Sequence, residues 1–501
     1  MQRNSAAESP DTALAPCHNI APLTSCLRLA TMLLATALAL SAESRLAADE
    51  AKPDAKPTAT VSYFRDVRPI FQVHCLGCHQ PAKAMGEFVM TDFKGLFKGG
   101  ESSQAAIVPG KPQESNLVAQ ITPDGGKAEM PKDKDPLTED QIKKIRQWIA
   151  EGATDDTPES VKSVIDAEHP PVYEAAPVLT ALDFSPDDSL LAVSGYHETL
   201  LFKGDGSQLV ARLVGQSERV ESVAFSPDGK SLAVVGGSPG RLGELQVWDV
   251  ESRKLRYSLS VTYDTIYGVS WSGDGSKIAF GCGDNTLRAV DAASGKQVLY
   301  QGAHNDWVLD TVFSKDGTYL ISVSRDRSMK LVEVATQRFV DNITSITPGA
   351  LKGGLAAVDR HPQKDELLIG GADGVPKIYQ MLRTKARVIG DDFNLIKAYE
   401  AVPGRIYDAH FNADGSRFVV GSSLDGTGEV RIYETDSGKL LHKLEGQKGA
   451  VYAVAFSSSG KVVASAGFDG LVRLNDADSG KLIKEISPVP PKSGQVAEAN
   501  P

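Results

Sequence analysis

A short motif built on an aromatic residue, serine, aspartate and glycine returns along most of this chain at intervals in the forties. It reads Phe184-Ser185-Pro186-Asp187, Phe225-Ser226-Pro227-Asp228-Gly229, Trp271-Ser272-Gly273-Asp274-Gly275 and Phe313-Ser314-Lys315-Asp316-Gly317. It continues as Arg360-His361-Pro362, Phe411-Asn412-Ala413-Asp414-Gly415 and Phe456-Ser457-Ser458-Ser459-Gly460. Between copies lie alternating runs such as Val220-Glu221-Ser222-Val223-Ala224-Phe225 and Leu245-Gln246-Val247-Trp248-Asp249. Alternation puts apolar side chains on one face of a strand, and a unit of four such strands cannot bury that face by itself. Neighbouring units must stack, and seven motif copies predict seven four-stranded blades over residues 176–490.

Radial stacking of such blades is the β-propeller solution to exposed sheet edges. The units resemble WD repeats with an eroded signature: Trp248-Asp249 keeps the dipeptide, whereas its counterparts read Val290-Asp291, Tyr433-Glu434 and Asn475-Asp476. Polar pairs recur at the expected turns between second and third strands: His197-Glu198, Asp284-Asn285, Asp326-Arg327, Asp373-Gly374, Asp425-Gly426 and Asp469-Gly470. Asp and Asn satisfy their own backbone in turns, so these pairs read as turn chemistry. His304, near Asp306 and Trp307, matches the structural histidine that WD repeats carry in this loop. Cys282 reads as a small buried residue at a strand end. The repeats contain no Cys/His cluster and no paired histidines, so no catalytic residue is assigned. Partner contacts are expected at the longest insertions, Gly236 to Glu244 and Thr384 to Ala401.

Upstream, Cys75-Leu76-Gly77-Cys78-His79 has a spacing that nearly dictates its chemistry. Two thiols three positions apart on one helical turn can add to the two vinyl groups of a haem, while His79 offers an imidazole nitrogen to the iron. The alternatives are a zinc half-site and a thioredoxin-like redox pair. Zinc would need further ligands, and the other thiols are the scattered Cys17, Cys26 and Cys282. The motif therefore reads as the attachment site of one covalently bound haem c.

At 501 residues, 41% of them hydrophobic, the chain is too long for one ordinary domain. A formal charge of -11 without any basic run excludes nucleic acid as an expected partner. Residues 29–40 form an apolar run preceded by Arg28 and followed by the small residues Ser41-Ala42 and Ala47-Ala48. Such a run is too short to span a bilayer, which takes about 20 helical residues. Residues 1–48 read as a secretory signal, which gives an exported, periplasmic or cell-envelope protein with no membrane span after its removal. Residues 49–60 have no large apolar side chain and read as a linker.

Helical spacing of Tyr63, Phe64, Val67, Ile70 and Phe71 predicts a helix that delivers the thiol motif. A second helix is predicted after Thr138 and Gln141, which match a capping box; its apolar face is Ile142, Ile145, Trp148 and Ile149, and Gly152 stops it. The segment 61–154 resembles the planctomycete-type cytochrome c domain. The resemblance rests on Phe64-Arg65-Asp66-Val67-Arg68-Pro69-Ile70, the thiol motif, Gly99-Gly100-Glu101-Ser102, Ile107-Val108-Pro109-Gly110-Lys111-Pro112, Met130-Pro131 and Ile149-Ala150-Glu151-Gly152-Ala153. It implies a small all-α class I cytochrome c fold holding one low-spin haem, with His79 and Met130 as axial ligands. His74, Met85 and Met90 compete with Met130. A loop of about fifty residues from His79 can pass the haem edge and return on the opposite face at Met130, and Pro131 favours an extended backbone there.

The expected whole is multidomain: cytochrome domain 61–154, connector 155–175, all-β seven-bladed propeller 176–490 and flexible tail 491–501. The expected function is electron transfer by a monohaem c-type cytochrome, with the propeller docking a redox partner protein. The alternative is a propeller oxidoreductase whose catalytic site exchanges electrons with the haem.

Overall fold

The computed structural model describes residues 61–489 apart from 81–82, 133, 159–164, 174, 303, 346–351, 387, 389 and 391. The signal, the linker and the tail read from the sequence lie outside these residues.

The N-terminal region is small and helical. Ser62 opens it: its hydroxyl accepts the Arg65 N–H at 3.0 Å and its own N–H donates to Asp66 at 2.9 Å. A wide turn over Tyr63–Val67 runs into α1 (Arg68–His74). Helix α2 spans Asn116–Ile121 and α3 spans Glu139–Ala150. The capping box at α3 is present in both directions, with Gln141 N–H to Thr138 Oγ1 at 3.3 Å and Thr138 N–H to Gln141 Oε1 at 2.9 Å. Its predicted apolar face is buried, and Trp148 stacks on Tyr63 with ring centroids 5.3 Å apart. That stack ties α3 to the turn that precedes α1.

Helix α1 leads directly into the thiol motif, a further turn in which the Cys75 carbonyl accepts both Cys78 N–H (3.0 Å) and His79 N–H (3.1 Å). One expectation for this region needs correction. The region is not purely α: β1 (His79–Gln80) and β2 (Lys83–Ala84) form a two-stranded ladder, and α2 was not foreseen.

From residue 182 onward the chain is β, in six antiparallel sheets joined in sequence order. The first has seven strands: β3 (Leu182–Phe184), β4 (Leu190–Ser194), β5 (Tyr196–Lys203), β6 (Leu209–Phe225), β7 (Ser231–Ser238), β8 (Leu242–Asp249) and β9 (Lys254–Thr262). The long β6 pairs with β5 mainly through its first part and with β7 through its last residues. Five four-stranded sheets follow over 266–301, 308–342, 355–398, 405–443 and 451–486. The last sheet packs on the first: Leu179 donates to the Gly467 carbonyl at 3.0 Å, and Leu182, Phe184 and Leu191 share a core with Ala453, Ala455 and Ala464. The array therefore closes on itself, consistent with a WD-type β-propeller.

The recurring motif has a local cause. In the second copy Ser226 Oγ donates to Asp228 at 2.7 Å and accepts the Ser231 N–H at 2.9 Å, while Gly229 takes the left-handed conformation (φ +71) that closes the turn. Ser185/Asp187, Ser272/Asp274 and Ser314/Asp316 repeat the serine-to-aspartate bond.

The turns between second and third strands carry more than turn chemistry. Asp284 and Asp469 each accept an N–H two residues on, at 3.2 Å, and pair at 2.6 Å with an arginine four residues on, Arg288 and Arg473. Asp373 and Lys377 repeat the arrangement. Glu198 departs from the turn reading altogether: it is fully buried, and it accepts from Arg212 at 2.6 Å and from Tyr173 at 2.6 Å. His304 is locked between Asp326 (3.0 Å) and Ser322 (2.8 Å), a structural tie. Cys282 is buried at the end of its strand. Most of the stretch 236–244 belongs to β7 and β8, with only 239–241 as the turn between them, and 384–401 contains the fourth strand of its sheet, Leu395–Ala398.

Candidate functional site

The turn after α1, the following ladder, α2 and the segment before α3 enclose a cavity of about 380 Å³ in the N-terminal region. Cys75, Cys78, His79 and Met130 all line it. Its apolar walls include Phe88, Met90, Leu117, Ile121 and Leu137.

Each of the four side chains has a stated support. Cys75 follows the last turn of α1, its N–H bonded to the Phe71 carbonyl at 2.9 Å, and the Cys78 carbonyl accepts from Met85 N–H at 3.0 Å. Both thiols are free. Burial, helped by the neighbouring Cys78, pushes the Cys75 thiol up to about 12. A thioredoxin-like redox pair instead holds its reactive thiol below the ordinary value. Nor do three His, Cys, Asp or Glu side chains converge to hold a bare metal ion among the described residues, as a zinc site would need.

The His79 ring is held through Nδ1, 3.3 Å from the Phe88 carbonyl, and packs edge-on against the Phe88 ring at 5.5 Å. A carbonyl can only accept, so Nδ1 carries the proton and Nε2 keeps its lone pair for a ligand bond. Met130 comes from a different part of the wall: its N–H donates to the Gln120 carbonyl of α2 at 2.9 Å. Of the competitors, His74 has its Nε2 engaged by Gln141 at 3.2 Å, Met85 is 44% exposed, and Met90 is buried in the core with its N–H on the His79 carbonyl at 2.9 Å.

Gly100 shapes the remaining wall. A Cβ there would stand 2.2 Å from the Gly86 carbonyl oxygen, which accepts Glu101 N–H at 2.7 Å. The glycine thus lets the loop 99–102 cross directly over the chain beside Phe88.

This donor set fits a haem. An apolar cavity presents two thiols at the thioether spacing, one imidazole with a free Nε2, and one thioether anchored on another segment.

A second cluster, which the sequence reading missed, lies on the innermost strands of the β array. Asp310 accepts the Val358 N–H at 2.9 Å, Asp359 the Phe411 N–H at 2.8 Å, Asp408 the Val454 N–H at 2.8 Å, and Asp183 the Phe225 N–H at 2.8 Å. Each carboxylate so staples its own inner strand to a neighbouring one. His410 sits among them, 3.0 Å from Asp408 and 3.8 Å from Asp359. Burial opposes charge on His410, but Asp408, Asp359 and Asp310 outweigh it and push its pKa up to about 10. Burial pushes Asp183 and Asp310 up to about 7. With both oxygens of Asp310, Asp359 and Asp408 accepting backbone N–H groups, the cluster is architectural.

Comparison with known proteins agrees with this division. Residues 75–134 match the family model described as Planctomycete cytochrome C. Residues 295–333 and 438–476 match the WD domain, G-beta repeat, and 182–272 match the Anaphase-promoting complex subunit 4 WD40 domain. The chain thus joins a cytochrome c domain to a WD-repeat region. Among curated relatives it is 24% identical to a WD repeat-containing protein 26 homolog of Arabidopsis thaliana, over 58% of this chain and 47% of that protein. It is also 24% identical to eukaryotic translation initiation factor 3 subunit I of Candida glabrata, over 51% of this chain and 65% of the relative, and of Aspergillus terreus, over 59% and 78%. The chain therefore spans about half to two thirds of the length of the first two relatives.

Proposed function

We propose that the protein is an exported monohaem c-type cytochrome whose WD-type propeller docks a redox partner protein. The observation that carries this reading is the meeting of Cys75, Cys78, His79 and Met130 in one apolar cavity. Cys75 and Cys78 would hold a haem covalently through its vinyl carbons, and His79 nitrogen and Met130 sulfur would ligate its iron. Bound there, the haem provides a one-electron couple. The chain's own part is to orient His79 through the Phe88 carbonyl, to place Met130 through Gln120, and to keep water from the apolar face with Leu117, Ile121 and Leu137.

The β array serves as the scaffold. Counting β6 twice, once with β5 and once with β7, turns its seven-stranded sheet into two four-stranded blades, so the six sheets amount to seven blades in a ring. WD repeats support protein interaction, and the inner-strand carboxylates are taken up by backbone bonds, which favours docking over catalysis. Among the described residues no helix is long and apolar enough to cross a membrane. The leader-like sequence of residues 1–48 is what supports export.

A spectroelectrochemical titration of the full chain purified from its own cells tests the assignment. A single reversible one-electron wave from a c-type haem is expected. A second redox wave, from a cofactor held in the propeller, would favour the oxidoreductase reading instead.

A further inference from the structure

The cavity has both apolar and polar lining residues, and α2 contributes some of each. Leu117 and Ile121, one turn apart, line the apolar part, while Asn116 and Gln120, also one turn apart, line it from the adjacent stripe of the helix. The Gln120 amide nitrogen lies 3.5 Å from Asn116 Oδ1, and Asn116 Nδ2 donates to Ser102 Oγ at 3.3 Å. The three side chains form a ladder, fixed at one end where the Gln120 carbonyl takes the Met130 N–H and at the other by the loop that crosses at Gly100. A carboxamide has two N–H donors and the ladder uses one from each, so donors remain. Lys132 and Lys134 line the same cavity, and neither forms an ion pair among the described residues. Glu101 is the sole carboxylate among the lining residues.

The polar lining groups are solvent-accessible, Ser102, Lys132 and Lys134 exposed and Asn116 and Gln120 half-buried, whereas Leu117, Ile121 and Leu137 are buried. This cavity therefore suits a ligand that is apolar over most of its area and doubly anionic where it meets solvent. We propose that Asn116, Gln120 and Ser102, with Lys132 and Lys134, receive the two carboxylates of the haem. The inference rests on the covalent-haem reading: once Cys75 and Cys78 take the vinyl carbons, the carboxylates project from the remaining edge. Two ammonium groups beside them offset negative charge and so favour the reduced form, which carries one more electron.

The test uses the full chain with its haem attached, in four variants: Lys132→Gln, Lys134→Gln, both together, and Asn116→Leu. Each lysine variant is expected to lower the midpoint potential, and the double variant to lower it further. Asn116→Leu is expected to shift the carboxylate bending band in the resonance Raman spectrum. Lys111→Gln is the control, because Lys111 pairs with Glu114 at 3.0 Å and does not line the cavity, and it should leave both readouts alone. Covalent haem with a wild-type potential in the double lysine variant and an unmoved Raman band in Asn116→Leu would overturn the inference and leave the function standing. Absence of haem from the wild-type chain would instead strike the function itself.

Discussion

The Nδ1 atom of His79 lies 3.3 Å from the carbonyl oxygen of Phe88, while the carbonyl of His79 accepts the N–H of Met90 at 2.9 Å. Ring and backbone of one residue are thus held by the same returning strand of chain. This fixes the tautomer and leaves Nε2 as the available nitrogen, while Met90, which also lines the cavity, is tied by its backbone to the same side as His79.

Met130, anchored on α2, is the opposing sulfur in this account. Met130→Ala is expected to abolish the weak long-wavelength absorption of thioether ligation and to make the ferrous protein bind carbon monoxide. Survival of that band in the variant would return the role to Met85.

Gly100→Ala puts a Cβ 2.2 Å from the Gly86 carbonyl oxygen and 3.0 Å from Phe88 Cβ. Backbone lies on the far side, so relief requires the loop to move, at a cost of about 2 kcal/mol of stability in the N-terminal region. Thermal loss of the haem absorption at lower temperature than in wild type is the expected result.

Asp408→Ala removes the acceptor for Val454 and Ala409 N–H and the partner of His410 in one step. Loss of a carboxylate that accepts two backbone N–H groups in a half-buried pair should cost about 2 kcal/mol. Denaturant unfolding followed by circular dichroism of the β region checks this; an unchanged midpoint would contradict the stapling role.

His410 gives that region a pH signature. Its folded-state pKa, about 10, stands above the ordinary value for histidine, so the folded form binds the proton more tightly. The stability this brings is fully present below about pH 6.5 and is lost as pH rises through about 10. Asp183 and Asp310, raised to about 7, act in a lower window: each loses stability as pH climbs from about 4 to about 7, because the folded state resists their ionisation. His410→Gln should therefore be less stable than wild type at neutral pH, with the gap closing as pH passes 10. A gap constant from pH 6 to 11 would rule the linkage out.

How much of this was legible beforehand follows from the length and locality of each signal. Helix α3 announces itself through Thr138, Gln141 and four apolar residues on one face, all within twelve positions. Helix α2 does not: its six residues are too few for a 3.6-residue period to register, and both its stripes face the cavity. The turn aspartates were legible, but the basic partner four residues on from Asp284, Asp373 and Asp469 was a readable i,i+4 signal that went unused. The long β6 hides a strand junction because the chain stays extended from Leu209 to Phe225 while its two parts pair with different neighbours. The Asp183, Asp310, Asp359, Asp408 and His410 cluster is scattered over four inner strands, and only the closing of the array brings it together.

The covalent bond between chain and haem is the centre of the account, and acidified-acetone extraction followed by a haem-stained denaturing gel tests it directly. The haem should stay with the full-length band in the wild-type protein, and Cys75→Ser together with Cys78→Ser should release it. A wild-type band without stain would contradict the account.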